Sequence, residues 1–227
     1  MNLWSIRGDQ HFGANDLVWG RFAKASDTTG SAGNTFISSN LPNFGAISTG
    51  PTKQATIGYI HTFSPVLVNE FRYGFGKADA GFPINTPFPL GPRVQFSDAS
   101  VDRFGVWEGL PQGRNQRTQQ FSDNLSYILN NHTLKFGGEY FRLDAVNQLD
   151  SLTRGLYTFS SWADFAAGNI QTYQQRFGDS TRRFKVNNFF AFAQDDWKVN
   201  RHLTLNLGVR LEYAGGPVGK KTAASPC

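Results

Sequence analysis

Leu203-Thr204-Leu205-Asn206-Leu207-Gly208-Val209-Arg210-Leu211-Glu212-Tyr213 carries an apolar or aromatic side chain at every odd position and a polar residue or glycine at every even one. Successive side chains of a strand point to opposite faces, so this pattern describes a strand with one apolar and one wet face. A helix needs apolar spacings of three and four, which this stretch lacks. Its eleven residues exceed the about 5–6 of an ordinary soluble strand. They match the length that a tilted strand needs to cross a bilayer.

The neighbouring sequence repeats the pattern. Residues 185–197 precede this strand, with a short turn at 198–202, which reads as a long hairpin. The same unit recurs as 119–128 with 133–143, as 53–61 with 68–77, and as 3–11 with 16–24. In these, Leu134, Phe136, Gly138 and Tyr140 oppose Thr133, Lys135, Gly137 and Glu139. Phe71, Tyr73 and Phe75 oppose Glu70, Arg72, Gly74 and Gly76, and Val18 and Phe22 oppose Arg21. The links between hairpins are long: 25–52, 78–118 and 144–184. The second holds Pro83, Pro87, Pro89, Pro92 and Pro111, which do not suit interior strands. The third holds one helix-like piece at 160–168.

Connections beyond about 12–15 residues are uncommon in compact domains. Short turns alternating with long links is the connectivity of a bacterial outer-membrane barrel, with short periplasmic turns and long extracellular loops. The expected fold is therefore all-β, an antiparallel meander of about eight long strands forming part of a transmembrane barrel. Residues 1–213 make four hairpins and 214–227 begin a further loop. Aromatics gather at both membrane interfaces of such barrels, and Phe12, Phe63, Tyr127 and Trp197 lie at turn ends, where a periplasmic girdle belongs.

Composition agrees. Among 227 residues, 15% are aromatic and only 17% charged, the reverse of a disordered chain. Mean hydropathy is nevertheless −0.39, and no stretch approaches the roughly 20 apolar residues of a membrane helix. The net charge of +5 is spread along the chain, which argues against nucleic acid as a partner. The one cysteine, Cys227, permits no disulfide within the chain. The first residues lack the basic and apolar runs of a secretory signal, so the chain reads as an internal section of a larger protein.

Arg7, Arg21, Glu70, Arg72, Lys135, Glu139, Arg210 and Glu212, with Asp9, are the polar residues expected to line the lumen. Such charges are expected to pair across neighbouring strands. His11, His61, His132 and His202 all lie at or beside tight turns, in no metal-ligand spacing. Asp195 and Asp196 are adjacent, so they point to opposite faces and cannot act on one substrate. No nucleophile-elbow, zinc or phosphate-loop motif occurs. No enzyme activity, cofactor or metal is expected.

Gln194-Asp195-Asp196-Trp197-Lys198-Val199 followed by 203–213 resembles a barrel segment of TonB-dependent outer-membrane receptors. The similarity is to the Oar-like branch, which often carries a carboxypeptidase-regulatory-like domain. His61-Thr62-Phe63-Ser64-Pro65 with Val68-Asn69-Glu70-Phe71-Arg72, and 132–140, resemble two further hairpins of that branch. The resemblance implies a location in the outer membrane of a Gram-negative bacterium. It implies energised uptake of a bulky solute by the parent protein, with outer-membrane lipid, a plug domain and TonB as partners. A receptor of this kind has 22 strands and a plug, so eight strands imply a fragment inactive alone. Two alternatives remain at this stage: a self-contained eight-stranded barrel acting as a small porin or adhesin, and a soluble β-barrel that binds a ligand.

Overall fold

The computed structural model describes residues 2–29, 44–87, 89–99 and 101–219. Residues 30–43 of the first link and 220–227 of the tail, with Cys227, lie outside the described residues. Eight long strands form one sheet: β1 (Asn2–Phe12), β2 (Asp16–Ser26), β3 (Thr52–Ser64), β4 (Leu67–Phe82), β5 (Gln112–Leu129), β6 (His132–Leu149), β7 (Arg182–Asn200) and β8 (Leu203–Ala214). Each pairs antiparallel with the next, in chain order, which is the expected meander. Among the described residues, the outer edges of β1 and β8 are unpaired, so the sheet is open.

The register fixes the strand tilt. One cross-strand row runs Gly8, Gly20, Ile57, Tyr73, Phe121, Tyr140, Phe189, Tyr213. From this row to the tight turn is four residues in β1 (Phe12), six in β4 (Leu67), eight in β6 (His132) and ten in β8 (Leu203). The turns thus step by about one residue per strand. With about 3.4 Å per residue and about 4.8 Å between strands, that stagger corresponds to a tilt of about 35°, within the range of closed barrels.

Pairing also sorts the two faces. Leu205, Leu207, Val209, Leu211 and Tyr213 share a face with Phe189, Phe136, Leu125, Phe71, Ile57, Val18 and Phe22. From Leu203 to Tyr213 the apolar run covers about 34 Å of strand. At the tilt above this is about 28 Å of height, close to the apolar band of an outer-membrane barrel. None of the described residues covers this face. Among the described residues, the buried hydrophobic side chains are Phe96, Val106, Leu110, Leu156 and Phe159, all in the loops, and only Ala145 in the eight-stranded sheet. A soluble sandwich buries one face of each sheet against a second layer. Among the described residues that layer is absent, which removes the support for the soluble alternative.

Four strand ends differ from the pattern reading. β4 runs on to Phe82 and β5 starts at Gln112; β6 runs to Leu149 and β7 starts at Arg182. The links shrink to 83–111 and 150–181. The extensions carry charge on the face that is apolar lower down, such as Asp79, Arg117 and Asp144, so alternation vanishes while the ladder continues. Beyond β8, Val218–Gly219 pairs with Lys185 and Phe184 of β7, so the sheet resumes after a break at 215–217. The tail boundary at 214 is thus an interruption in the strand.

The two loops fold together. Arg93–Phe96 pairs in parallel with Leu156–Phe159, which pairs with Thr172–Gln174. The helix α1 (Trp162–Ala167) is capped by Ser161, whose hydroxyl accepts from the Asp164 amide, and closes at Gly168 with φ 75°. Phe96, Phe104, Phe159, Trp162 and Phe165 form one ring cluster, with centroids 5.1–6.3 Å apart. Arg93, 2% exposed, reaches Glu108 at 2.5 Å. Arg154 donates to the Trp107 carbonyl at 2.6 Å. Burial lowers the proton affinity of the Arg154 guanidinium, while Glu108 and Asp150 raise it.

Two outcomes follow. Val209→Arg, in the middle of the apolar face, costs about 2–4 kcal/mol of stability in a bilayer. Asn206→Arg, on the other face, costs far less; denaturant unfolding in lipid vesicles separates them. Phe159→Ala destabilises the loop module by about 3–5 kcal/mol. Limited proteolysis then cuts within 83–111 and 150–181, while strand circular dichroism is unchanged.

Candidate functional site: the polar face

The polar face is built from the even positions of β3, β4, β5, β7 and β8 and the odd positions of β1, β2 and β6. The register brings all eight charged residues named from sequence to this face. They occupy four successive rows. Arg7 faces Arg21 in one. The next holds Arg72, Glu139 and Glu212, linked through Ser122 and Phe190. Glu70 and Arg210 share a third row, and Lys135 lies in the fourth.

These charges pair in a different way from the cross-strand expectation. Arg7 bonds Asp9 with a closest approach of 2.7 Å, and Arg72 meets Glu70 at 2.6 Å. Arg210 pairs with Glu212. All three are neighbours on one face of one strand. The directly opposite positions hold Arg21 for Arg7, Gly58 and Ser122 for Arg72, and Phe192 for Arg210, none of which is an acid. Lys135 with Asp196, at 3.4 Å, is the cross-strand pair. Among the described residues, Arg21 and Glu139 make no ion pair. Such exposed pairs add little to stability, because solvent screens them and ordering two long side chains costs entropy.

Aromatic rings and glycines shape the middle of this face. Trp19 lies over Gly58, and a Cβ at that glycine would collide with the indole. Phe192 and the Asn124 side chain lie over Gly137 in the same way. Large rings are therefore laid flat on the sheet only because the facing residue has no side chain. Arg7 stands 4.7 Å and Arg72 6.0 Å from the Trp19 ring centroid, and Arg210 stands 5.5 Å from that of Phe190. Between Trp19 and Arg210 runs an open trough of about 350 Å³. Gln120, Ser122, Asn124 and Glu139 project along it as donors and acceptors. Its chemistry is that of a polar surface for a hydrated or hydrogen-bonding occupant.

On the apolar face, Phe12, Phe63, Tyr127 and Trp197 all sit at the tight-turn ends. His132 stacks on Trp197 at 5.3 Å and reaches Asp195 at 2.7 Å. His61 meets Phe63 edge-on at 4.3 Å and Asp16 at 2.6 Å. The sequence reading missed a second aromatic line. Tyr73, Phe121, Tyr140, Phe189 and Tyr213 form a row across five strands, with centroids 4.7–6.2 Å apart. The signal was present as an aromatic recurring on one face of each strand, but the register was needed to align them.

If the Gly58 notch holds Trp19, Gly58→Val displaces the indole from between Arg7 and Arg72. The expected result is a red-shifted Trp19 emission in a variant whose other tryptophans are replaced by Phe. An unchanged spectrum contradicts the notch.

No curated protein and no solved structure matches the chain. A family profile does: "Outer membrane beta barrel domain" matches residues 1–225, nearly the whole length. Together with the two-faced, tilted meander, this match places the chain in the outer membrane as a β-barrel protein, and the chain belongs to the outer membrane beta barrel domain family.

Proposed function

We propose that this chain is a barrel section of a TonB-dependent receptor that takes up a bulky solute across the outer membrane of a Gram-negative bacterium. The observation that carries this reading is the pair of unpaired edges flanking a polar trough. Unpaired backbone groups are not tolerated in hydrocarbon, so in the membrane both edges need partners, which in this reading are further strands. A barrel wider than eight strands encloses a lumen large enough for a plug and a permeating solute. The resemblance of 194–213, 61–72 and 132–140 to receptor hairpins supports the TonB-dependent branch.

In this reading the eight polar-face charges line the lumen and meet the plug or the solute. Phe12, Phe63, Tyr127 and Trp197 anchor the periplasmic interface. The role is binding and passage, without catalysis, cofactor or nucleic acid. The second reading, a self-contained eight-stranded porin or adhesin, requires β1 to pair with β8.

Two measurements test this. Deleting the locus in its host is expected to impair depletion of at least one bulky solute from the medium that a TonB deletion also impairs. An unchanged depletion profile overturns the receptor reading. Ser5→Cys with Gly208→Cys forms no intrachain disulfide in the membrane; efficient cross-linking favours the closed small barrel.

A further inference from the structure

On the apolar face, the cross-strand row four residues above Gly8–Tyr213 reverses character. Lys24 faces Lys53, Lys53 faces Lys77, Lys77 faces Arg117, Arg117 faces Asp144, and Asp144 faces Lys185. Five cations and one acid therefore stand in direct succession across six strands. Like charges directly opposite each other destabilise a sheet. Lys77 pairs with Asp79 at 3.0 Å, and Asp144 serves Arg142 at 2.8 Å and Lys185 at 3.7 Å. Among the described residues, Lys24, Lys53 and Arg117 have no ion-pair partner.

The height of this row is informative. Lys24 stands eight residues above the turn-end residue Asp16, Lys77 ten above Leu67, and Arg117 twelve above Leu129. The apolar run of β8 ends at Tyr213, ten residues above Leu203. Lys77 and Arg117 thus stand at and above the level where the apolar band stops, on the side of the long loops; Lys24, two residues lower, faces outward with them and has a side chain long enough to reach that level. That is the level of lipid headgroups in the outer leaflet. Polar-face cations lie on the opposite side of the same strands and cannot share this environment.

We infer that this collar binds phosphate-bearing lipid headgroups of the outer leaflet, with Lys24, Lys53 and Arg117 as the principal contacts. The inference rests on the membrane-barrel assignment and not on the identity of the solute. Headgroup phosphates supply the negative charge that the sheet itself lacks at this level. Arg117 presents a fork suited to a phosphate, and the lysines act as point charges.

The test uses the protein purified from its native outer membrane and reconstituted into phosphatidylcholine vesicles with a minority of phosphatidic acid. Quenching by brominated lipid reads insertion, and spin-labelled lipids read which headgroup the protein retains. Phosphatidic acid is expected to be preferred about fivefold or more, the scale set by one or more surface cations. The preference falls below about twofold in Lys24→Gln/Lys53→Gln/Arg117→Gln. Arg7→Gln/Arg72→Gln, on the polar face, leaves it unchanged. Equal retention of both lipids, or the same loss in both variants, overturns the collar. Insertion without preference sinks the collar alone, while a protein absent from the outer-membrane fraction of its host sinks the membrane assignment together with it.

Discussion

Hydrocarbon offers no water to an unpaired N–H or C=O, so a strand that crosses it must find every partner in its neighbours. The rest of this structure follows from that requirement. Pairing, not packing, holds the sheet together, which is why long strands run side by side with almost no buried side chain between them. The apolar side chains that a soluble protein would hide are displayed outward. The polar ones occupy the other face, and the average hydropathy stays low despite a chain crowded with Phe. The same requirement makes the two free edges the least self-sufficient part of the molecule.

Side chains then adapt to the ladder. On the polar face, glycines are placed opposite the largest rings, so Trp19 and Phe192 lie flat where upright rings would fill the interior. Arginines sit beside Trp19 and Phe190 and turn along their own strand to reach an acid two residues away. The outcome is a wall that is charged but locally neutralised, with hydroxyls and amides between the charges. Arg21 and Glu139 are the exceptions, lying in adjacent rows without an ionic partner.

The alternation at 203–213 made the hairpins, their turns and both faces legible from sequence, because period two is imposed residue by residue. It made the polar-face residues legible for the same reason. Three things escaped it. The tops of β4 to β7 carry charge on the face that is apolar lower down, as at Asp79, Arg117 and Asp144, so no consistent contrast marks them as strands. The ion pairs depend on which residue happens to lie opposite, and Arg7 facing Arg21 is a fact of register. The loop module joins segments some sixty residues apart, and the pairing of Arg93–Phe96 with Leu156–Phe159 leaves no local periodicity to read.

That parallel pairing has a consequence for how the mouth of the barrel can move. The loop at 83–111 has its own small apolar cluster around Val106 and Leu110, but the ring cluster is complete only with Phe96 and Phe104 from that loop and Phe159, Trp162 and Phe165 from the other. Displacing either loop exposes the interior of both. The two loops therefore open or stay shut as one cooperative unit. Access over β4 to β7 is governed by a single all-or-none equilibrium rather than by two independent flexible arms.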